Sequence, residues 1–177
     1  MKSRYGAAYK EERGDAESVR LLVVRCGPYR LGVPAGSVRA VVGAGEVVAV
    51  GFPELPGLIW RDGALVPATG LAPLLGLLDD GGEVSGHGVL VESSAGPLCF
   101  MVDEALDLLE APASSVLPLP PLVVKATGLT GLESAALLDG LLLIADPVLI
   151  LGLDRAAELV SAGERIGESV GSPWGQV

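Results

Sequence analysis

An Asp-Gly step followed by a short apolar run occurs twice in this chain, and it constrains the fold more than any other feature. Asp62-Gly63 leads into an apolar run over 64–68, a turn at Gly70 and a Leu-rich segment closing on Gly76-Leu77. Asp139-Gly140 leads into 141–145, a turn at Asp146-Pro147 and a segment closing on Gly152-Leu153. Asp-Gly favours tight strand-to-strand turns, because both residues tolerate the positive φ such turns need. The neighbouring features recur in the same order. Gly27-Pro28 matches Gly96-Pro97 as a turn, and the alternating Tyr29, Leu31, Val33 match Leu98, Phe100, Val102. Val38, Val41 and Val42 stand at i, i+3, i+4, which predicts one or two helical turns, and Ala105, Leu108 and Leu109 repeat that spacing. Strands at 47–50 and 116–119 follow, and then Gly-Leu turns at Gly57-Leu58 and Gly131-Leu132.

The chain therefore reads as one unit written twice, with a first half over about 19–80 and a second over about 88–153. The polar, Gly-rich run 79–88 separates them. Each half holds five or so short strands, too few residues for a large core alone, so the halves share a central interface. Closing each into a small barrel removes exposed sheet edges. The residues available fit this: half the chain is hydrophobic, only 4% is aromatic, and 25 Gly with 13 Pro punctuate it too often for long helices. The expected class is all-β, two pseudo-repeated five-stranded barrels with a short C-terminal helix ending near 162. Residues 1–18 and 163–177 are expected as flexible tails, and Phe52 to Pro56 as a stiff loop.

A net charge of −10 disfavours nucleic acid and anionic membrane surfaces as partners. The uncharged stretches are too short or too interrupted by Pro and Gly for a spanning helix, and the N-terminus lacks an apolar signal core. A cytoplasmic location is expected, with no direct membrane insertion. Cys26 and Cys99 each fall in an apparent strand, without metal-binding spacing, and read as buried, reduced thiols. The lone histidine, His87, lies in the connector near Asp79, Asp80 and Glu83, where weak cation binding competes with a plain solvated loop. There is no P-loop and no nucleophile elbow, and Asp103-Glu104, adjacent on a strand, would point to opposite faces rather than form a dyad. No catalytic constellation, cofactor site or metal site is expected, and the chain reads as a non-enzyme.

Trp60, Arg61 and Asp62, just before the first Asp-Gly strand, are the unusual group. An aromatic and an arginine beside a rigid turn make a contact surface. Equally, Trp60 plugs the joint between halves and Arg61 pairs with a nearby carboxylate.

The segments LLVVRCGPYRLGVP, SVRAVV, GLIWRDGALVP, PLCFMVDEALDLL and GLTGL…DGLLLIAD, in this order over about 20–153, resemble the CheW-like family of chemosensory adaptor domains. The resemblance implies two small five-stranded barrels, no catalysis, and binding of a histidine kinase regulatory domain, a chemoreceptor cytoplasmic tip, or both. It implies partner contacts at Val38, Arg39, Gly57, Trp60, Arg61 and Asp62. Such domains often carry Asn-x-Arg-Gly where this chain has Trp60-Arg61-Asp62-Gly63, which puts the arginine one position early. Ala40 and Gly70 stand where acidic residues are common. Three readings follow: an adaptor coupling receptors to a kinase; a diverged module that has lost kinase coupling and tethers another signalling or motility component; and a small-molecule-binding barrel.

Overall fold

The computed structural model describes residues 18–52, 55–77 and 86–170. Strands β1 (Ser18–Cys26), β2 (Tyr29–Pro34), β3 (Val38–Gly43), β4 (Val47–Phe52), β5 (Leu55–Arg61) and β6 (Ala64–Gly70) lead into a one-turn helix, α1 (Leu71–Leu74). Strands β7 (His87–Ser93), β8 (Gly96–Val102), β9 (Glu104–Pro112) and β10 (Val116–Pro118) follow. Then come helix α2 (Pro121–Thr127), strands β11 (Ser134–Leu137) and β12 (Leu141–Ile144), and helices α3 (Pro147–Leu151) and α4 (Leu153–Val170).

The described strands form two six-stranded sheets, ordered β9-β1-β2-β12-β11-β10 and β3-β7-β8-β6-β5-β4. Both curl. Edge strands β3 and β4 are joined only by the 3-10 turn Ala44–Glu46. Across a flat sheet they would stand about 24 Å apart, whereas so short a link reaches under about 15 Å. The same holds for edge strands β9 and β10, joined by Ala113–Ser115. Each sheet therefore rolls toward closure as a barrel-like subdomain.

The duplication is written in the strand orders. Replacing β1–β6 by β7–β12, and the reverse, turns one order into the other. The two expected halves are not the two subdomains, however. Hairpin β1–β2 joins β9–β12, and hairpin β7–β8 joins β3–β6, so each half lends its opening hairpin to the other's sheet. Parallel pairs make the graft: Ile144 opposite Gly32, and Ala68 opposite Cys99.

Several expected elements differ. The spans around Val38, Val41, Val42 and around Ala105, Leu108, Leu109 are strands β3 and β9, not helical turns. A bulge interrupts each ladder, between Val38 and Ala40 and opposite Val23/Val24. A bulge moves later side chains to the other face and so breaks two-residue alternation. Gly96-Pro97 belongs to β8, and the turn is Ser94-Ala95, so Leu31 corresponds to Leu98 and Val33 to Phe100. The offset is two residues, which leaves the apolar face unchanged. Gly57-Leu58 lies inside β5 rather than in a turn, whereas Gly131 does turn, at φ 95°. His87 heads β7 instead of lying in the connector. Leu55 and Pro56 belong to β5 and Phe52 to β4, rather than to a loop. The C-terminal helix is two helices, and α4 continues through Val170, past the expected end near 162. The expectations for residues 1–17, Pro53, Glu54, the connector over 78–85 and the tail beyond 170 lie outside the described residues.

The largest apolar cluster lies between the sheets, around Val24, Leu31, Val33, Val91, Leu98 and Phe100. Smaller clusters fill each barrel: Val42, Ile59, Val66, Leu90 and Cys99 in one, and Leu21, Ala111, Ala136 and Ile144 in the other. Helix α4 lies across the outside of β6, burying Ala156, Leu159 and Val160. Its approach is close because Gly163 faces Leu65, Pro67 and Leu58; a Cβ there would stand 3.4 Å from the Leu65 carbonyl oxygen.

Candidate interaction surface

The six candidate contact residues all belong to the sheet β3-β7-β8-β6-β5-β4 or its β5–β6 turn. They do not gather in one place. Val38 and Arg39 begin β3, whereas Arg61 and Asp62 stand beside the link that leaves its far end. That link runs directly into β4, and the antiparallel pairing of β4 with β5 sets it beside the end of β5.

At this far rim, Arg61 Nη1 lies 3.4 Å from Glu46 Oε2. The other oxygen of Glu46 accepts from the Gly43 amide at 3.3 Å. Asp62 and Gly63 adopt φ of 50° and 78°, both left-handed, and form the tight turn that pairs Arg61 with Ala64. Trp60 is half-buried opposite Leu65, on the same face as Leu58. That is the face on which Leu58 and Leu65 meet α4. At the opposite end, Arg39 sits in the bulge of β3 and Nη1 binds Glu92 at 2.7 Å. Val38 packs partly into the central core. Gly57 is buried, and a Cβ there would stand 2.8 Å from Val47 Cγ1. It offers a partner no side chain; its role is close packing of β5 on β4.

The expected carboxylate partner of Arg61 is present as Glu46, but sequence reasoning identified neither it nor the partner of Arg39. Glu46 and Glu92 are far from them in sequence, and only the strand register brings them close. It also misplaced Asp103 and Glu104. Asp103 stands at the bend between β8 and β9, so the strand rule of opposite faces does not apply, and both carboxylates reach Arg25, at 3.6 Å each. Asp103 additionally accepts from the Gly27 amide at 2.6 Å, tying the β1–β2 turn to this bend. All these ion pairs are solvent-exposed, so each contributes about 0–1 kcal/mol.

His87 Nδ1 accepts a hydrogen bond from the Ala105 amide at 3.0 Å, which bridges β7 to β9. Among the described residues no group of three His, Cys, Asp or Glu is placed to hold a metal; Asp79, Asp80 and Glu83 lie outside them. Ser93 is engaged in its own hairpin, donating to the Gly96 carbonyl at 2.7 Å. Both cysteines are free and buried. Burial, aided by the Asp103 charge and opposed by Arg25, pushes the Cys26 thiol up to about 12. Burial and then Glu46 push the Cys99 thiol up to about 12. At neutral pH both stay protonated, and the thiol form is a poor nucleophile. No helix among the described residues is long and apolar enough to cross a membrane.

A family model described as the CheW-like domain matches residues 20–155. Among solved structures, the chain is similar to the scaffolding protein TtCheW from Thermoanaerobacter tengcongensis, at TM-score 0.62 and 21% identity, over 72% of this chain and 88% of that one. A search of the curated proteins finds no match. The interleaved sheets and the family match across most of the chain lead to one assignment: this chain belongs to the CheW-like domain family.

Proposed function

We propose that this chain is a non-catalytic, cytoplasmic adaptor of a chemosensory-type signalling pathway, coupling chemoreceptors to a histidine autokinase. The observation that carries this reading is the CheW-like match over 20–155. The contact surface we favour is the rim made by Trp60, Arg61 and Asp62, with Val38 and Arg39 as a second patch at the other end of β3. Gly57, in the same strand as Trp60 and Arg61, bears on the first only through the packing of β5 on β4.

One observation favours the alternative, a module that has lost kinase coupling: both candidate arginines already hold carboxylates of their own chain, Arg61 with Glu46 and Arg39 with Glu92. A partner carboxylate must therefore displace an internal one. Because both pairs are exposed, that exchange costs little, and the coupling reading stands first.

Calorimetric titration of the full chain tests it, using the regulatory domain of a histidine kinase from the same genome neighbourhood and, separately, a receptor cytoplasmic tip. Micromolar or tighter kinase binding is expected. Arg61→Ala should weaken it by about 1–2 kcal/mol with the thermal midpoint nearly unchanged. Binding to the receptor tip alone would establish the uncoupled module. A folded sample that binds neither would overturn the adaptor reading.

A further inference from the structure

The chain crosses between the two sheets twice, and the two crossings are built differently. From β2 to β3 it passes through the 3-10 turn Ala35–Ser37. From β8 to β9 it crosses at Asp103 alone. Beside this tighter crossing stands His87, the single histidine of the chain. It heads β7, opposite Gly43 of β3 and Val102 of β8. The backbone before it is fixed on both sides. The Ala44 amide donates to the Gly86 carbonyl at 3.1 Å, and Gly86, at φ 99°, lies so near the Val102 and Asp103 carbonyls that a Cβ would collide with both. His87 itself is half-buried, and its Nδ1 accepts from the Ala105 amide at 3.0 Å.

Strands β7 and β9 belong to different sheets, so this bond ties one sheet to the other. The central cluster between the sheets, with Val24, Val33, Val89 and Phe100, supplies apolar contact instead. Strand β9 is an edge strand, and the outward amides of an edge have no ladder partner. His87 gives one to Ala105, next to the bulge in the pairing of β9 with β1. The contact has no counterpart at the other crossing. The hairpins turn at equivalent places, Cys26 opposite Tyr29 and Ser93 opposite Gly96, which equates Arg20 with His87. An arginine side chain carries no acceptor. An imidazole nitrogen accepts only while the ring is neutral; in the imidazolium both nitrogens donate, and an Nδ1–H would then face the Ala105 N–H.

We infer that His87 is a pH-released latch between the two sheets: neutral, it holds the start of β9 against β7, and protonated, it lets go. The charged groups on the elements packed against it are Asp103 and Glu104 on the bend, Arg25 on β1 and Glu46 in the link after β3. Arg25 holds both carboxylates of the bend, and Asp103 also takes the Gly27 amide. When the ring lets go, those contacts keep the bend on β1, and what loosens is the hold of β9 on β7. The sign is fixed by the acceptor: the latch is closed at neutral pH and opens as pH falls through the titration of the imidazole. The apolar cluster does not titrate, so the change is local to the crossing. This inference does not rest on the adaptor reading; kinase or receptor binding succeeds or fails independently of it.

Amide hydrogen exchange on the full chain tests this, read residue by residue by NMR and corrected for the intrinsic pH dependence of exchange. The comparison is between about pH 7.5 and about pH 5.5, the range over which an imidazole changes charge. Protection of the Ala105 amide should fall at least about threefold, as for the loss of one hydrogen bond, while amides of β5 and β11 keep theirs. His87→Asn puts a carbonyl acceptor that does not titrate near the place of Nδ1, and protection at Ala105 should then no longer depend on pH. His87→Phe removes the acceptor, and protection there should be low throughout. The ring-nitrogen chemical shifts of the single histidine need no variant: at neutral pH they should report the proton on Nε2 and none on Nδ1. Unchanged protection at Ala105 across this range in the unaltered chain, a proton on Nδ1 at neutral pH, or a pH dependence that persists in His87→Asn would overturn the latch.

Discussion

Gly57 stands midway along β5, opposite Ala49 on one side and Ala68 on the other. Its missing Cβ is what lets Val47 lie against the strand, since a Cβ would come within 2.8 Å of Val47 Cγ1. Its pseudo-equivalent in the other sheet is Ser134, again small and buried. At Gly57 the barrel interior leaves no room for a larger residue without a shift of Val47. Gly57→Ala should therefore destabilise the fold by about 1–3 kcal/mol, measured by urea unfolding, with partner affinity unchanged in the folded fraction. Unaltered stability with lost affinity would instead make Gly57 a contact residue. From the sequence this glycine reads as a turn before an Asp-Gly strand and as a contact residue, not as a packing position inside a strand. A glycine inside a strand and a glycine in a turn look alike until the opposite strand is known. For the same reason Arg61 was visible as a candidate and Glu46, its counterion, was not.

At the scale of elements, legibility followed local periodicity. Strands with plain alternation, β2 and β8 among them, were readable, and so was the repeated Asp-Gly hairpin. The bulged strands β3 and β9 were misread as helical turns because the extra residue leaves apolar positions at i, i+3, i+4. Helix α2 and strand β11 lacked any strong periodic signal. The start of α3 was legible, since Asp146-Pro147 places a side-chain acceptor before a proline. The Asp146 carboxylate accepts from the amides of Val148 at 3.0 Å and Leu149 at 3.1 Å. Gly70, its pseudo-equivalent before α1, makes no such bond. Asp146→Ala should cost about 1 kcal/mol. Hydrogen exchange at the Val148 and Leu149 amides should accelerate more than at β5. Equal acceleration everywhere would show that the cap acts on global stability alone.

The whole molecule holds what no local pattern could show. A duplicated sequence is compatible with two independent barrels side by side and with two barrels that exchange their opening hairpins. The choice is made by pairs such as Ala68 with Cys99 and Ile144 with Gly32, distant in the chain and unremarkable in composition. Exchange makes each sheet depend on both halves, and the largest apolar cluster lies between the sheets rather than within either. Phe100 is fully buried there, on the grafted strand β8 and opposite Val89. Phe100→Ala should cost about 3–5 kcal/mol. Because strands cannot leave one sheet without opening the shared core, the loss should appear equally in both, as a single two-state transition. Amide exchange tests this directly, with β5 reporting on one sheet and β11 on the other. Protection at both should fall by the same free energy in Phe100→Ala. If β11 kept its protection while β5 lost it, the two barrels would be separate folding units, and the interleaved hairpins would be geometry without cooperative consequence.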